Sequence, residues 1–181
     1  QIPTGVEVEF LTPPPSPRPV ADLLFVGSMD WQPNVDGVKL FLNEILPRVW
    51  NRIPEATFAI VGRQPPPELR VLAERDRRIV VSGTVADVRP YLWGSKVAVV
   101  PLRIGGGTRM KIYECMAARL PVVSTRVGAE GLEVSDPENI RLADSPEEFA
   151  ERCVELLESA AERVRIAESA WRLVSSRFSS E

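Results

Sequence analysis

Histidine is absent from the 181-residue sequence. That excludes a Ser/His/Asp triad, an imidazole general base and a His-ligated metal. Cysteine is scarce, with two in all. Cys115 and Cys153 fall inside helical patterns, too far apart for a zinc motif or a disulfide framework. They read as small buried hydrophobes and fit a reducing compartment, so a cytoplasmic location is expected. No apolar run approaches the ~18–20 residues that span a bilayer, and the opening residues lack the basic-then-apolar pattern of a signal peptide. Positive charge does not dominate: the net charge is −3, which argues against a dedicated nucleic-acid binder. Lysine is rare among the 22 basic residues, being confined to Lys39, Lys96 and Lys111. What is present is ordinary for a globular chain, 44% hydrophobic and 26% charged, long enough for one α/β domain to bury a core unaided.

Proline gathers in the opening stretch, at Pro13-Pro14-Pro15-Ser16-Pro17 and Pro19. That density suits a stiff extended connector over 1–20, not core. Beyond it, unbroken apolar runs alternate with helical patterns. Residues 23–27, 57–62, 79–83, 97–101 and 121–125 read as strands buried on both faces, with a short last strand at 140–142. Between them, Val38, Phe41, Leu42, Ile45 and Val49 recur at helical spacing with Pro47 bending or restarting the helix. Further helices are expected over 68–76, 88–93 and 108–119, and two charged amphipathic helices over 146–159 and 161–177. Such alternation calls for an α/β fold, a doubly wound parallel sheet of Rossmann-like kind, with ligands at the C-terminal strand ends. The charge run at 74–78 reads as a solvated helix end.

The strongest local feature follows the strand ending at Pro101: Gly105-Gly106-Gly107-Thr108-Arg109-Met110-Lys111. Glycines admit a ligand close to the backbone, Thr108 stands at the N-cap, and the first helical amides lack internal partners. Arg109 and Lys111 would oppose the helix dipole unless an anion sat between them, so a phosphate or diphosphate site is expected here. The Walker pattern is absent, and Met110 stands where the dinucleotide fingerprint needs Gly or Ala. Glu114, one turn beyond Lys111, either pairs with that lysine or accepts bonds from vicinal sugar hydroxyls.

Several segments together resemble the GT-B glycosyltransferases of the large group 1 (family 4) class. Ile2-Pro3-Thr4-Gly5-Val6-Glu7 resembles the "I-P-N-G-V-D" hinge that opens their C-terminal, donor-binding domain. Phe25-Val26-Gly27 with Asp36-Gly37, Ile60-Val61-Gly62, Val81-Ser82-Gly83-Thr84-Val85 and Val99-Val100-Pro101 resemble its strand series. Lys111 to Val123 resembles the "K-x-x-E-A-M-A-x-G-x-P-V-V" signature.

The resemblance implies transfer from a nucleoside-diphosphate-sugar with retention at the anomeric carbon, in polysaccharide or glycoconjugate biosynthesis. Neither metal nor other cofactor is implied, the nucleotide-sugar being a substrate, and the sequence has no Asp-x-Asp motif. Glu114 matches the glutamate that holds the donor's ribose. Backbone groups at Thr84 and Val85 would meet the nucleobase with Arg63 nearby, and the amides of Gly106, Gly107 and Thr108, following Gly105, would face the sugar and diphosphate. Two departures stand out. The first glutamate of the family's E-x7-E pair falls at Gly106. The basic pair after the first strand is missing, with Ser28 where arginine is usual, so Arg109 and Lys111 are expected to supply the leaving-group charge. Trp31, Asn34 and Glu130 are cleft candidates, although Trp31 equally suits covering the adjoining helix.

The implied organisation is a hinge and connector over 1–20 and a nucleotide-sugar-binding domain over 21–181. It lacks the N-terminal acceptor-binding domain, its expected partner, and the final cross-over helix, since Phe178-Ser179-Ser180-Glu181 resembles the segment just before that helix. Alone, the chain should bind nucleotide weakly and not turn over. The resemblance leaves the full-length enzyme room to sit peripherally on a membrane. Two rivals are a non-catalytic nucleotide-binding or interaction domain of flavodoxin-like topology and half of a nucleotide-sugar epimerase.

Overall fold

Leu23, Leu24 and Phe25 are consecutive in strand β1 (Ala21–Val26) and all three are buried. Only a strand covered on both faces allows that. A computed structural model describes residues 6–105 and 109–177, with the side chain of Arg109 outside that set. Strands β2 (Phe58–Val61), β3 (Ile79–Gly83), β4 (Ser95–Val100), β5 (Val122–Ser124) and β6 (Arg141–Leu142) complete one sheet in the order β3-β2-β1-β4-β5-β6. Every pairing is parallel.

Period-two alternation splits the core. Leu23, Phe25, Phe58, Ile60, Val97 and Val99 point to one side. There they meet helix α2 (Gln32–Leu40), a π-helical turn at Phe41–Ile45, α3 (Leu46–Arg52), α4 (Pro67–Arg75) and α7 (Pro146–Glu158). Phe41 packs on Phe58 at 4.6 Å between ring centroids and edge-on to Phe149 at 6.1 Å. Leu24, Ala59, Val61, Ala98 and Val122 point the other way, toward α1 (Val8–Leu11), α5 (Arg89–Gly94), α6 (Arg109–Ala117) and α8 (Ala160–Arg177). The doubly wound expectation therefore holds. The flavodoxin-like alternative does not: its order would be 2-1-3-4-5, whereas here β1 lies between β2 and β4.

One local outcome differs from the expected connector, and another shows the form that the expected bend at Pro47 takes. Val6, Val8 and Leu11 are buried on the second core face, and Trp93 Nε1 donates to the Leu11 carbonyl at 2.8 Å. So part of the expected connector contributes core, because three apolar side chains precede the prolines. The helix carrying Pro47 does not break at that residue. It widens just before it, where Leu46 N–H reaches back to the Phe41 carbonyl, since proline has no N–H for the ordinary ladder.

The order reverses between β1 and β4, so the loops after these two strands diverge and leave a crevice at their C-terminal ends. Lys111 on α6 leans into it, and the loop after β3 forms its far wall.

Candidate functional site

Bare backbone forms the floor. Val26 pairs with Val61, and Gly27 N–H donates to the Val61 carbonyl at 2.9 Å. A Cβ on Gly62 would lie 1.8 Å from the Gly27 oxygen, so no larger residue fits where the two strands end. Above this floor is a cavity of about 320 Å³ whose walls include Ser28, Arg63, Thr84, Val85, Val88 and Lys111. Val88 also bounds a larger hollow of about 750 Å³, lined by Phe10, Asp87, Arg89, Met110 and Glu114 among others.

Lys111 spans the crevice from α6, its Nζ donating to the Val26 carbonyl at 3.3 Å. Burial pushes its pKa below the usual 10.5, with Glu114 opposing the shift. The same burial pushes Glu114 above its usual 4.5, with Lys111 opposing. The two carry no ion pair within 4.0 Å, and the Glu114 carboxylate has no hydrogen-bond partner among the described residues. A half-buried carboxylate left unpaired at a cavity wall can accept two hydroxyl groups, and the lysine beside it can meet an anion.

The loop after β3 turns sharply at Gly83, whose φ of +69° a side chain would resist. It delivers Thr84 exposed and Val85 half-buried to the smaller cavity. Arg63 arrives there from β2, its Nε donating to Ser28 Oγ at 2.9 Å. Lys111, Thr84, Val85 and Arg63 thus line one cavity and Glu114 the next, as residues 48 positions apart in sequence (63 and 111) converge through the sheet. Gly105 is exposed and stands away from both, where an added Cβ would lie 3.5 Å from Glu130 Oε2. Gly106, Gly107, Thr108 and the Arg109 side chain, expected to meet the anion and the leaving group, lie outside the described residues. Residues 1–5 of the expected hinge and the segment 178–181 expected to precede the cross-over helix do so too.

Asn34 does not face a cleft. It is buried, and its Nδ2 donates to the Ser28 carbonyl at 2.9 Å, holding the loop after β1. Asp30, Asp87, Arg89 and Phe10 escaped the sequence reading. Asp30 pairs with Arg63 at 3.3 Å, and Arg89 is held by Asp87 and stacks on Phe10 at 3.8 Å. The three charged residues signal themselves only as charge around the loops after β1 and β3, where any doubly wound fold places ligand contacts, and Phe10 lies in α1 with no such signal.

The fold and crevice define an α/β domain of Rossmann-like topology with its polar side chains gathered at the switch point. The chain belongs to the glycosyl transferases of group 1, whose family model matches residues 21–159. It is similar in structure to the C-terminal domain of a glycosyl transferase group 1 family protein (LpcC) from Francisella tularensis. The TM-score is 0.81 at 20% identity, covering 98% of this chain and 100% of that one. It is also similar to Anabaena HepE, solved in complex with UDP, with a TM-score of 0.79 at 18% identity over 98% of this chain and 53% of HepE. In sequence it is 21% identical over 167 residues to an uncharacterized 44.6 kDa protein in the cps region of Klebsiella pneumoniae. That match covers 88% of this chain and 43% of the relative, so the chain spans less than half the relative's length.

Proposed function

We propose that this chain is the donor-binding domain of a retaining glycosyltransferase that takes a sugar from a nucleoside-diphosphate-sugar. The observation that carries the reading is the unpaired, half-buried Glu114 beside Lys111 at the mouth of the switch-point crevice. Glu114 accepts the ribose hydroxyls, Thr84 and Val85 meet the base, and Lys111 faces the diphosphate. Arg109 and the amides of Gly106, Gly107 and Thr108 stabilise the charge that develops on the leaving group, while Gly105, away from both cavities, takes no part. The crystal structure of HepE with UDP supports a uridine nucleotide as the first ligand to try.

In this mechanism the domain stabilises the departing diphosphate through preorganised amides and cations. The glycosidic bond to the diphosphate breaks and a new one forms to the oxygen of an acceptor hydroxyl on the same face of the sugar, the hydroxyl proton leaving with the diphosphate. No metal is required by this scheme. The acceptor we assign, a growing polysaccharide or glycoconjugate, follows the family resemblance, and it binds an N-terminal domain that the 43% coverage of the Klebsiella relative makes room for.

Calorimetric titration with UDP-, GDP- and ADP-sugars tests the reading. One nucleotide series should bind with Kd in the micromolar-to-millimolar range, roughly −8 to −4 kcal/mol, with no sugar released or transferred by this chain alone. Absence of binding to all three series would refute donor binding, and measurable transfer would refute the need for a second domain.

A further inference from the structure

Ser28 stands where the resemblance expects an arginine after the first strand, yet the position is not without a cation. The parallel pairing of Val26 with Val61 brings Ser28 and Arg63 off adjacent strands side by side, and Met29 N–H donates to the Arg63 carbonyl at 2.9 Å. The Arg63 guanidinium then folds back over Ser28. Its Nε donates to Ser28 Oγ at 2.9 Å and its Nη2 pairs with Asp30 Oδ2 at 3.3 Å, while Ser28 Oγ also donates to Asp30 Oδ1. Buried Asn34 fixes the Ser28 carbonyl from below. The remaining nitrogen, Nη1, has no partner among the described residues. Arg63 and Lys111 share the 320 Å³ cavity whose floor is the Gly27–Gly62 backbone.

We infer that Arg63 is a further diphosphate-binding cation of this domain, beside Lys111 and Arg109, and that Asp30 is the counter-ion it gives up when the nucleotide arrives. The inference rests on the donor-binding reading and moves Arg63 from the nucleobase to the phosphates. The Arg63 side chain is 62% exposed and that of Asp30 37%, and an ion pair so open to water is weakly held. A diphosphate carries more charge than one carboxylate and offers paired oxygens to the guanidinium fork, so it displaces Asp30. Exchange of one charge-assisted partner for another keeps the cation paired in both states. With no ligand present, the carboxylate keeps Arg63 folded over the crevice instead of free in solvent.

The test uses the 181-residue chain with UDP, GDP and ADP and their nucleosides as probes, followed by chemical-shift titration. For the diphosphate that binds, Arg63→Gln should weaken affinity about tenfold, a typical loss of one charge-assisted contact. The matching nucleoside should stay within about twofold of wild type on the same grounds. Asp30→Asn should tighten the diphosphate and leave the nucleoside unchanged, because the competing carboxylate is gone. Both variants alter exposed side chains, and amide spectra matching wild type establish that they fold. Equal losses of diphosphate and nucleoside in Arg63→Gln would put Arg63 at the base and overturn the inference. So would a diphosphate affinity untouched by Arg63→Gln, or one unchanged or weakened by Asp30→Asn. Glu114→Gln separates the two claims: if it weakens binding while Arg63→Gln does not, donor binding stands and this inference falls. If wild type binds none of the three diphosphates, both fall.

Discussion

Lys111 and Glu114 lie one helical turn apart, and burial moves their pKa values toward each other, the lysine down and the glutamate up. For the glutamate the folded pKa lies above the unfolded one, so the protonated form is the one the fold favours. Its contribution to stability is complete below about the ordinary pKa of 4.5 and is lost as pH rises through the raised value. Above the raised value the ionised carboxylate is therefore carried at a cost, which a functional ligand contact would explain. Glu114→Gln should raise Tm relative to wild type at pH 7, with the advantage vanishing at low pH, while nucleotide binding is lost. Thermal melts across pH 4–8 beside binding titrations check both limbs, and a destabilised variant at pH 7 would contradict this account. Much of the residue-scale picture was visible in the sequence because Lys111 and Glu114 belong to one helix with a recognisable signature. The Ser28–Asp30–Arg63 cluster was not, since its members meet only through the register of β1 on β2. Asn34 looked like a loop residue and is a buried strut.

At the scale of elements, strands were legible because each is an unbroken apolar run, and the parallel sheet is the one arrangement that buries such runs twice over. Helix α1 was not: four residues show no periodicity, and its neighbouring prolines suggested an extended chain. The C-terminus of α6 shows how a departure from the family signature is accommodated. Arg119 occupies the place of the signature's glycine with φ +58°. Arg119 N–H donates to the Met116 carbonyl and Leu120 N–H to that of Cys115, the bonding of a left-handed helix cap. The side chain offsets part of the backbone strain by pairing with Glu168 and lying 4.4 Å from the Trp171 ring, which ties α6 to α8. Arg119→Gly and Arg119→Ala both remove these contacts, and only alanine keeps the left-handed strain. The glycine variant should be the more stable by about 1 kcal/mol, a difference of roughly 2–4 °C in Tm. Equal melting temperatures would show that the cap is not strained.

For the whole molecule, the order β3-β2-β1-β4-β5-β6 sets the crevice where the ligand is proposed to lie, and two helical layers pack on the faces of the sheet. Among the described residues no helix is long and apolar enough to cross a membrane. The sequence disclosed the architecture almost entirely, because strand count, spacing and burial all follow from hydrophobic pattern. It disclosed less of the crevice, since cavities are made by loops that come together only after the strands are ordered. The two hollows sharing Val88 were invisible for that reason, as was the part played by Phe10 and Arg89. Amide shift mapping on the isotope-labelled chain during titration with UDP, GDP and ADP tests the central claim most directly. Donor binding predicts that one nucleotide shifts Val26–Ser28, Thr84–Val85 and Lys111–Glu114 together while β6 and α7 stay still. Shifts confined to other surfaces, or none with any of the three, would contradict it.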